Sequence, residues 1–160
     1  MKKIICLGLL LITLCSCGGG SQIKPQLTGI SFTAEIVYYN ENYCLDGEIS
    51  KNGEFVFEIK EPEELCDLKI SLIDGQTRVD YKGLTYTPLE GTMPFAKVLD
   101  EFYAPMEEII RDDSLLANSD GIIKGEGFTL TVSPTGLPLK LEIPDERFEV
   151  KFLNVSICGD

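Results

Sequence analysis

Ile30-Ser31-Phe32-Thr33-Ala34-Glu35-Ile36-Val37-Tyr38-Tyr39 alternates apolar and polar side chains. Successive side chains of a strand point to opposite faces. This stretch therefore predicts a half-buried strand with Ile30, Phe32, Ala34, Ile36 and Tyr38 on one face. The pattern recurs downstream. After a turn at Asn40-Glu41-Asn42, Tyr43 to Ser50 carries Leu45 and Ile49 on one face with Gly47 between them. Lys51-Asn52-Gly53 contains the Asn-Gly hairpin signal, and Phe55, Phe57 and Ile59 then line up in Glu54 to Lys60. Glu61-Pro62-Glu63-Glu64 interrupts the run. Leu68, Ile70 and Leu72 resume it, and Asp74-Gly75 and Lys82-Gly83 mark two more tight turns around Thr77 to Tyr81 and Leu84-Thr85-Tyr86.

The period changes after Pro88. Phe95, Val98, Leu99, Phe102, Met106, Ile109 and Ile110 recur at helical spacing, which predicts a helical insert at about 94–111. Pro105 is expected to split it into two short helices, because proline lacks the N–H that a helix interior uses. Gly121 to Lys124, Phe128 to Ser133, Leu137 to Ile143 and Arg147 to Ile157 read as strands, with Pro134-Thr135-Gly136-Leu137-Pro138 as a turn. The predicted fold class is α+β, a large antiparallel sheet in sequential hairpins with the helical insert packed on one face. One domain, residues 30–160, accounts for all of it.

The N-terminus predicts location. Met1-Lys2-Lys3 is basic, Ile4 to Leu14 is almost wholly apolar, and Leu14-Cys15-Ser16-Cys17 precedes Gly18-Gly19-Gly20-Ser21. The order of basic, apolar and small-residue regions is that of a secretory signal, and the apolar run is shorter than the roughly 20 residues of a membrane span. The cysteine after Ser16 resembles the lipobox of bacterial lipoproteins. That resemblance implies cleavage of residues 1–16 and a diacylglycerol thioether on Cys17. Residues 17–29 are then a lipidated, flexible tether to the extracytoplasmic face of a cell membrane. Stable anchoring takes at least two acyl chains, which a diacylglyceryl group supplies.

Composition narrows the chemistry. The full chain has net charge −12, and cleavage would remove Lys2 and Lys3 but no acid. Such a surface repels nucleic acid, and no nucleic-acid partner is expected. With no histidine in the sequence, Ser-His-Asp triads, Cys-His dyads and His-ligated metals are excluded. No phosphate-loop or nucleophile-elbow motif occurs. No enzyme activity, cofactor or metal is expected. Asp112-Asp113 and Glu61 to Glu64 do not match a calcium loop and read as solvated charge. Beyond Cys17, cleavage would leave Cys44, Cys66 and Cys158. Cys44 and Cys66 lie in neighbouring segments and could pair, or all three could be plain buried thiols.

The body of the chain resembles the lipoprotein-carrier superfamily, the half-barrel fold of outer-membrane lipoprotein carriers and mycobacterial lipid-carrying lipoproteins. The resemblance rests on Phe32-Thr33-Ala34-Glu35-Ile36, on Gly53-Glu54-Phe55-Val56-Phe57, on Pro88-Leu89-Glu90-Gly91 leading to Pro94-Phe95, and on Gly127 to Val132, Gly136 to Ile143 and Phe148 to Asn154. It implies a strongly curved, half-barrel-like sheet and a membrane-anchored, non-enzymatic module for a lipid or other hydrophobic ligand. The alternative is a scaffold or regulatory protein for a cell-envelope enzyme. The ligand surface would be Phe32, Ile36, Phe55, Phe57, Leu130, Leu139 and Phe152, lidded by Phe95, Leu99 and Phe102. The long N-terminal helix usual in that superfamily has no counterpart here, so the same residues read equally as a core filled by the 94–111 helices. Tyr38, Tyr39, Tyr43, Tyr81, Tyr86 and Tyr103 are a second feature, since tyrosines suit binding surfaces as well as strands.

Overall fold

A computed structural model describes residues 22–73, 76–88 and 95–158. The expected signal peptide, Cys17 and the Asp74-Gly75 turn lie outside these residues. The strands are β1 (Ile30–Tyr38), β2 (Glu41–Ile49), β3 (Phe55–Glu61), β4 (Lys69–Ile73), β5 (Gln76–Tyr81) and β6 (Leu84–Tyr86). Helix α1 (Ala96–Arg111) follows, then β7 (Ile122–Lys124), β8 (Thr129–Val132), β9 (Pro138–Ile143) and β10 (Phe148–Ile157). All ten strands join one antiparallel sheet in the order β6-β5-β4-β3-β2-β1-β10-β9-β8-β7.

The chain thus walks outward from β1 to the β6 edge and returns through α1 to the opposite edge at β7. It then walks inward until β10 pairs with β1, from Ile30 opposite Ile157 to Tyr38 opposite Phe148. The sheet is open and ends at β6 and β7. It is neither closed nor strongly curled, which corrects the half-barrel curvature expected from the resemblance.

Local sequence explains the hairpins. Tyr39 and Asn40 have φ of 48° and 70°, and Lys82 and Gly83 have φ of 49° and 82°. Each pair makes a two-residue loop with both residues left-handed, a twist that matches paired strands. The first turn therefore lies one position earlier than the Asn40-Glu41-Asn42 reading. In the longer β2–β3 loop, the Ser50 hydroxyl accepts from the Asn52 and Glu54 amides at 3.2 and 3.1 Å.

Helix α1 buries Val98, Leu99, Phe102, Met106 and Ile109 against the sheet. It is one helix, not two, with Pro105 inside it. The proline removes one amide donor, but Phe102 on one side and Met106 and Ile109 on the other hold both turns to the sheet. Burial of those side chains outweighs the lost bond. Asp112 ends the helix: its carboxylate accepts from the Ser114 amide at 2.9 Å and hydroxyl at 2.6 Å, which holds its pKa below the ordinary carboxylate value.

Residues 22–29, expected as tether, lie along the domain instead. Ile23 and Ala117 exchange two backbone hydrogen bonds of 2.9 Å, the Gln26 amide donates to the Gly136 carbonyl at 2.8 Å, and Leu27 is buried. The outer face of the sheet carries exposed ion pairs such as Lys140 with Glu142 and Glu149. Such pairs contribute little to stability individually.

Candidate functional site: an aromatic cleft beside the helix

Nine of the ten residues expected to line a groove lie in the core. Phe32, Ile36, Phe55, Phe57, Phe95, Leu99, Phe102, Leu130 and Phe152 are each at most 6% exposed. Phe102 sits at the centre, its ring centroid 5.9 Å from Phe32, 5.3 Å from Phe57 and 5.7 Å from Phe152. Phe32 meets Phe152 edge-on at 5.2 Å. These are the separations of packed aromatic pairs and leave no room for a lipid chain. Gly47 is part of the arrangement: a Cβ there would lie 2.4 Å from the Phe32 ring, so only glycine lets that ring lie across β2.

Leu139 is the exception, 45% exposed. Thr131 pairs with Lys140 while the next residue, Val132, pairs with Pro138, so Leu139 is an extra residue on β9. This bulge breaks the alternation and turns Leu139 outward, while Pro138, opposite buried Val132, takes the inward place that simple alternation gave to Leu139.

The open apolar concavity is elsewhere. Glu41 and Tyr43 on β2, Glu64 and Leu65 in the 3-10 turn Glu63–Leu65, Leu68, Tyr81 on β5, Tyr86 on β6 and Phe95 at the helix entry line a cleft of about 400 Å³. Register explains the convergence. Buried Val79 pairs with Tyr86, and Tyr81 lies two residues on, so both tyrosines share the helix-side face. Ile36 is opposite Tyr43, which places that ring on the same face. The sheet bends locally where Leu45 pairs with Ile59 but Cys44 with Glu61, leaving Lys60 as an extra residue before the 3-10 turn.

The cleft mixes ring faces with acidic rims. The rings of Tyr43 and Phe95 lie 5.1 Å apart. The Tyr43 hydroxyl donates to the Glu41 carboxylate at 2.6 Å. Burial, and then Glu41, push the Tyr43 pKa from 10.0 up to about 12, so the phenol stays neutral. The Tyr81 hydroxyl donates to the Glu64 carbonyl at 3.4 Å, and the Lys82 ammonium lies 4.9 Å from the Tyr81 ring centre. Of the six tyrosines singled out in the sequence, three meet here. Tyr38 and Tyr39 stack edge-on at 4.8 Å elsewhere, and Tyr103 packs against Phe55 at 4.8 Å. Glu41, Leu65 and Leu68 were not singled out as site residues, and Glu64 was read only as solvated charge, because no local pattern joins β2, the 3-10 turn and the β5–β6 hairpin.

Cys44, Cys66 and Cys158 are free and partly buried. The Cys66 thiol donates to the Lys60 carbonyl at 2.7 Å. Burial, with Glu61, Asp46 and Glu35 nearby, raises the Cys44 pKa and disfavours its thiolate. No cluster of metal-binding side chains occurs among the described residues. A cleft of this size, walled by aromatic and aliphatic side chains with few polar groups, is suited to holding a small ligand. Compared with known proteins, no family model matches the chain, and no curated protein or solved structure matches it significantly.

Proposed function

We propose that this protein is a non-enzymatic binding module, anchored to the outer face of a cell membrane through a lipidated Cys17, and that its ligand site is the aromatic cleft. One observation carries the reading. The apolar side chains under the helix are packed against one another, whereas Tyr43, Tyr81 and Tyr86 border open space. The ligand is hydrophobic and small rather than a long lipid buried in the sheet. Kinship with the lipoprotein-carrier superfamily is part of the same proposal, with a flatter sheet than that fold and the cargo site moved to the helix entry.

Scaffolding of an envelope enzyme is the second reading, and the β6 edge favours it. Leu84 and Tyr86 are 72% and 48% exposed on a three-residue strand with one side unpaired. Such an edge can accept a strand from another protein.

Intact mass spectrometry of the protein drawn gently from its native membrane tests both claims. The expected result is a diacylglyceryl mass on Cys17 and a stoichiometric non-covalent ligand. An unmodified Cys17 would overturn the anchor. A lipidated chain that is empty, and that also fails to bind a hydrophobic dye, would remove the ligand reading and leave the scaffold.

A further inference from the structure

We infer that the cleft selects a ligand bearing a quaternary or alkylated ammonium group, with an apolar portion lying along Leu65 and Leu68. This rests on the cleft being the ligand site and specifies what it takes. Three properties of the lining converge on that chemistry.

The first is ring supply. Tyr43, Tyr81 and Tyr86 bring three aromatic rings to one space, with the buried Phe95 ring packed against Tyr43. Aromatic faces carry negative charge density, and a weakly hydrated alkylammonium gains more from them than it loses in leaving water. The second is charge. Glu41 and Glu64 stand in the lining, which contains no Lys or Arg. Neither carboxylate makes an ion pair among the described residues. An anionic ligand, a fatty acid included, would have to approach two carboxylates with no cation in the described lining itself to meet it. A neutral ligand would gain nothing from their charge.

The third is the behaviour of the chain's own cations. Lys82 lies over Tyr81, Lys97 over Tyr38 at 5.9 Å and Arg147 over Tyr39 at 5.7 Å. Among the described residues, no such cation covers Tyr43, Tyr86 or Phe95. Lys82 thus already holds one face of Tyr81 at the cleft's edge, while Tyr43 and Tyr86 carry no internal cation among the described residues. The Tyr43 hydroxyl is engaged by Glu41, which fixes the ring and leaves its face as the contact.

The test uses the full chain in non-ionic micelles, titrated calorimetrically with choline and with the neutral isostere in which carbon replaces the quaternary nitrogen. Choline should bind about tenfold more tightly, as expected for desolvated cation–π contacts. Tyr86→Leu should lose that advantage while Tyr86→Phe retains it, and Glu64→Gln should reduce it several-fold. Equal binding of the two probes would overturn the ammonium inference and leave the cleft as an apolar site. Failure of both to bind would overturn the site itself. Displacement of choline by phosphatidylcholine but not phosphatidylglycerol vesicles would place the ammonium on a lipid headgroup. No displacement by either would place it on a free amine, and both results uphold the shared chemistry.

Discussion

Phe32, Phe57 and Phe152 lie under helix α1 around its Phe102, whereas Tyr43, Tyr81 and Tyr86 lie beside the helix entry, and both sets of strand residues rise from the same face of one sheet. The first group is sealed and the second borders a cleft. Cover makes the difference more than composition. Sixteen helical residues span about 24 Å, whereas ten strands side by side span roughly 43 Å. One helix cannot blanket such a sheet. The residue types follow the cover: phenylalanine where water is excluded, tyrosine where the ring tip still reaches polar partners.

The contrast can be broken most forcefully at Phe102. Phe102→Ala should cost about 3–5 kcal/mol of unfolding free energy, because the cavity it leaves is ringed by aromatics held by other elements. Denaturant unfolding measures this, and a loss under about 1 kcal/mol would mean that the packed group is not the core. Gly47→Ala comes next. Its methyl group would collide with the Phe32 ring, and displacing that ring should cost about 1–3 kcal/mol. The decisive companion is Gly47→Ala with Phe32→Leu, where the two changes should cost less than their sum. Strict additivity would show that the close approach does not matter.

On the cleft side the same measurement should register little. Tyr86→Leu, on an exposed edge strand, should move stability by no more than about 0.5 kcal/mol while abolishing ligand selectivity. A large destabilisation would make Tyr86 structural and weaken the contrast. The subtlest distinction is in titration. Tyr43 in the cleft and Tyr103 at the core's edge both have pKa values pushed from 10.0 to about 12, chiefly by burial and then by hydrogen bonds to Glu41 and Glu107. A folded pKa above the unfolded value favours the neutral phenol in the fold. The stability this contributes is present below pH 10 and is lost as pH rises toward 12. Ultraviolet titration should therefore show a late-ionising pair of tyrosines, and Tyr43→Phe should remove one of them and flatten the alkaline loss. Ionisation of all six tyrosines together near pH 10 would contradict it.

Alternation in β1, β3 and β4 and helical spacing in α1 made the elements readable, because each is a local pattern repeated over several residues. The meander order was readable for the same reason, since each hairpin joins neighbours. Three features escaped. The Leu139 bulge inserts one residue into an otherwise regular run, and nothing near it in sequence marks which residue is extra. Pro105 carries a local breaking signal that tertiary burial overrides. The cleft draws on β2, the 3-10 turn, β5, β6 and the helix entry, so its tyrosines could be noted individually but not grouped. Sequence left groove and filled core as alternatives under the helix, since a stripe of large apolar residues serves either.

The pairing of β1 with β10 has a bearing on when the molecule can form. The hydroxyls of Ser31 and Ser156 meet at 2.9 Å across 125 positions of chain. A ribosome makes β1 long before β10, so the central seam of the sheet stays unmade until β10 has followed. Until then Phe32 and Ile36 have no neighbour on that side, and the edge of β1 is open to any other extended chain. Contacts this distant in sequence slow folding, because a long loop must close before it is rewarded. A nascent or half-threaded chain is therefore the state in which this protein is most exposed to misassembly and most in need of an escort.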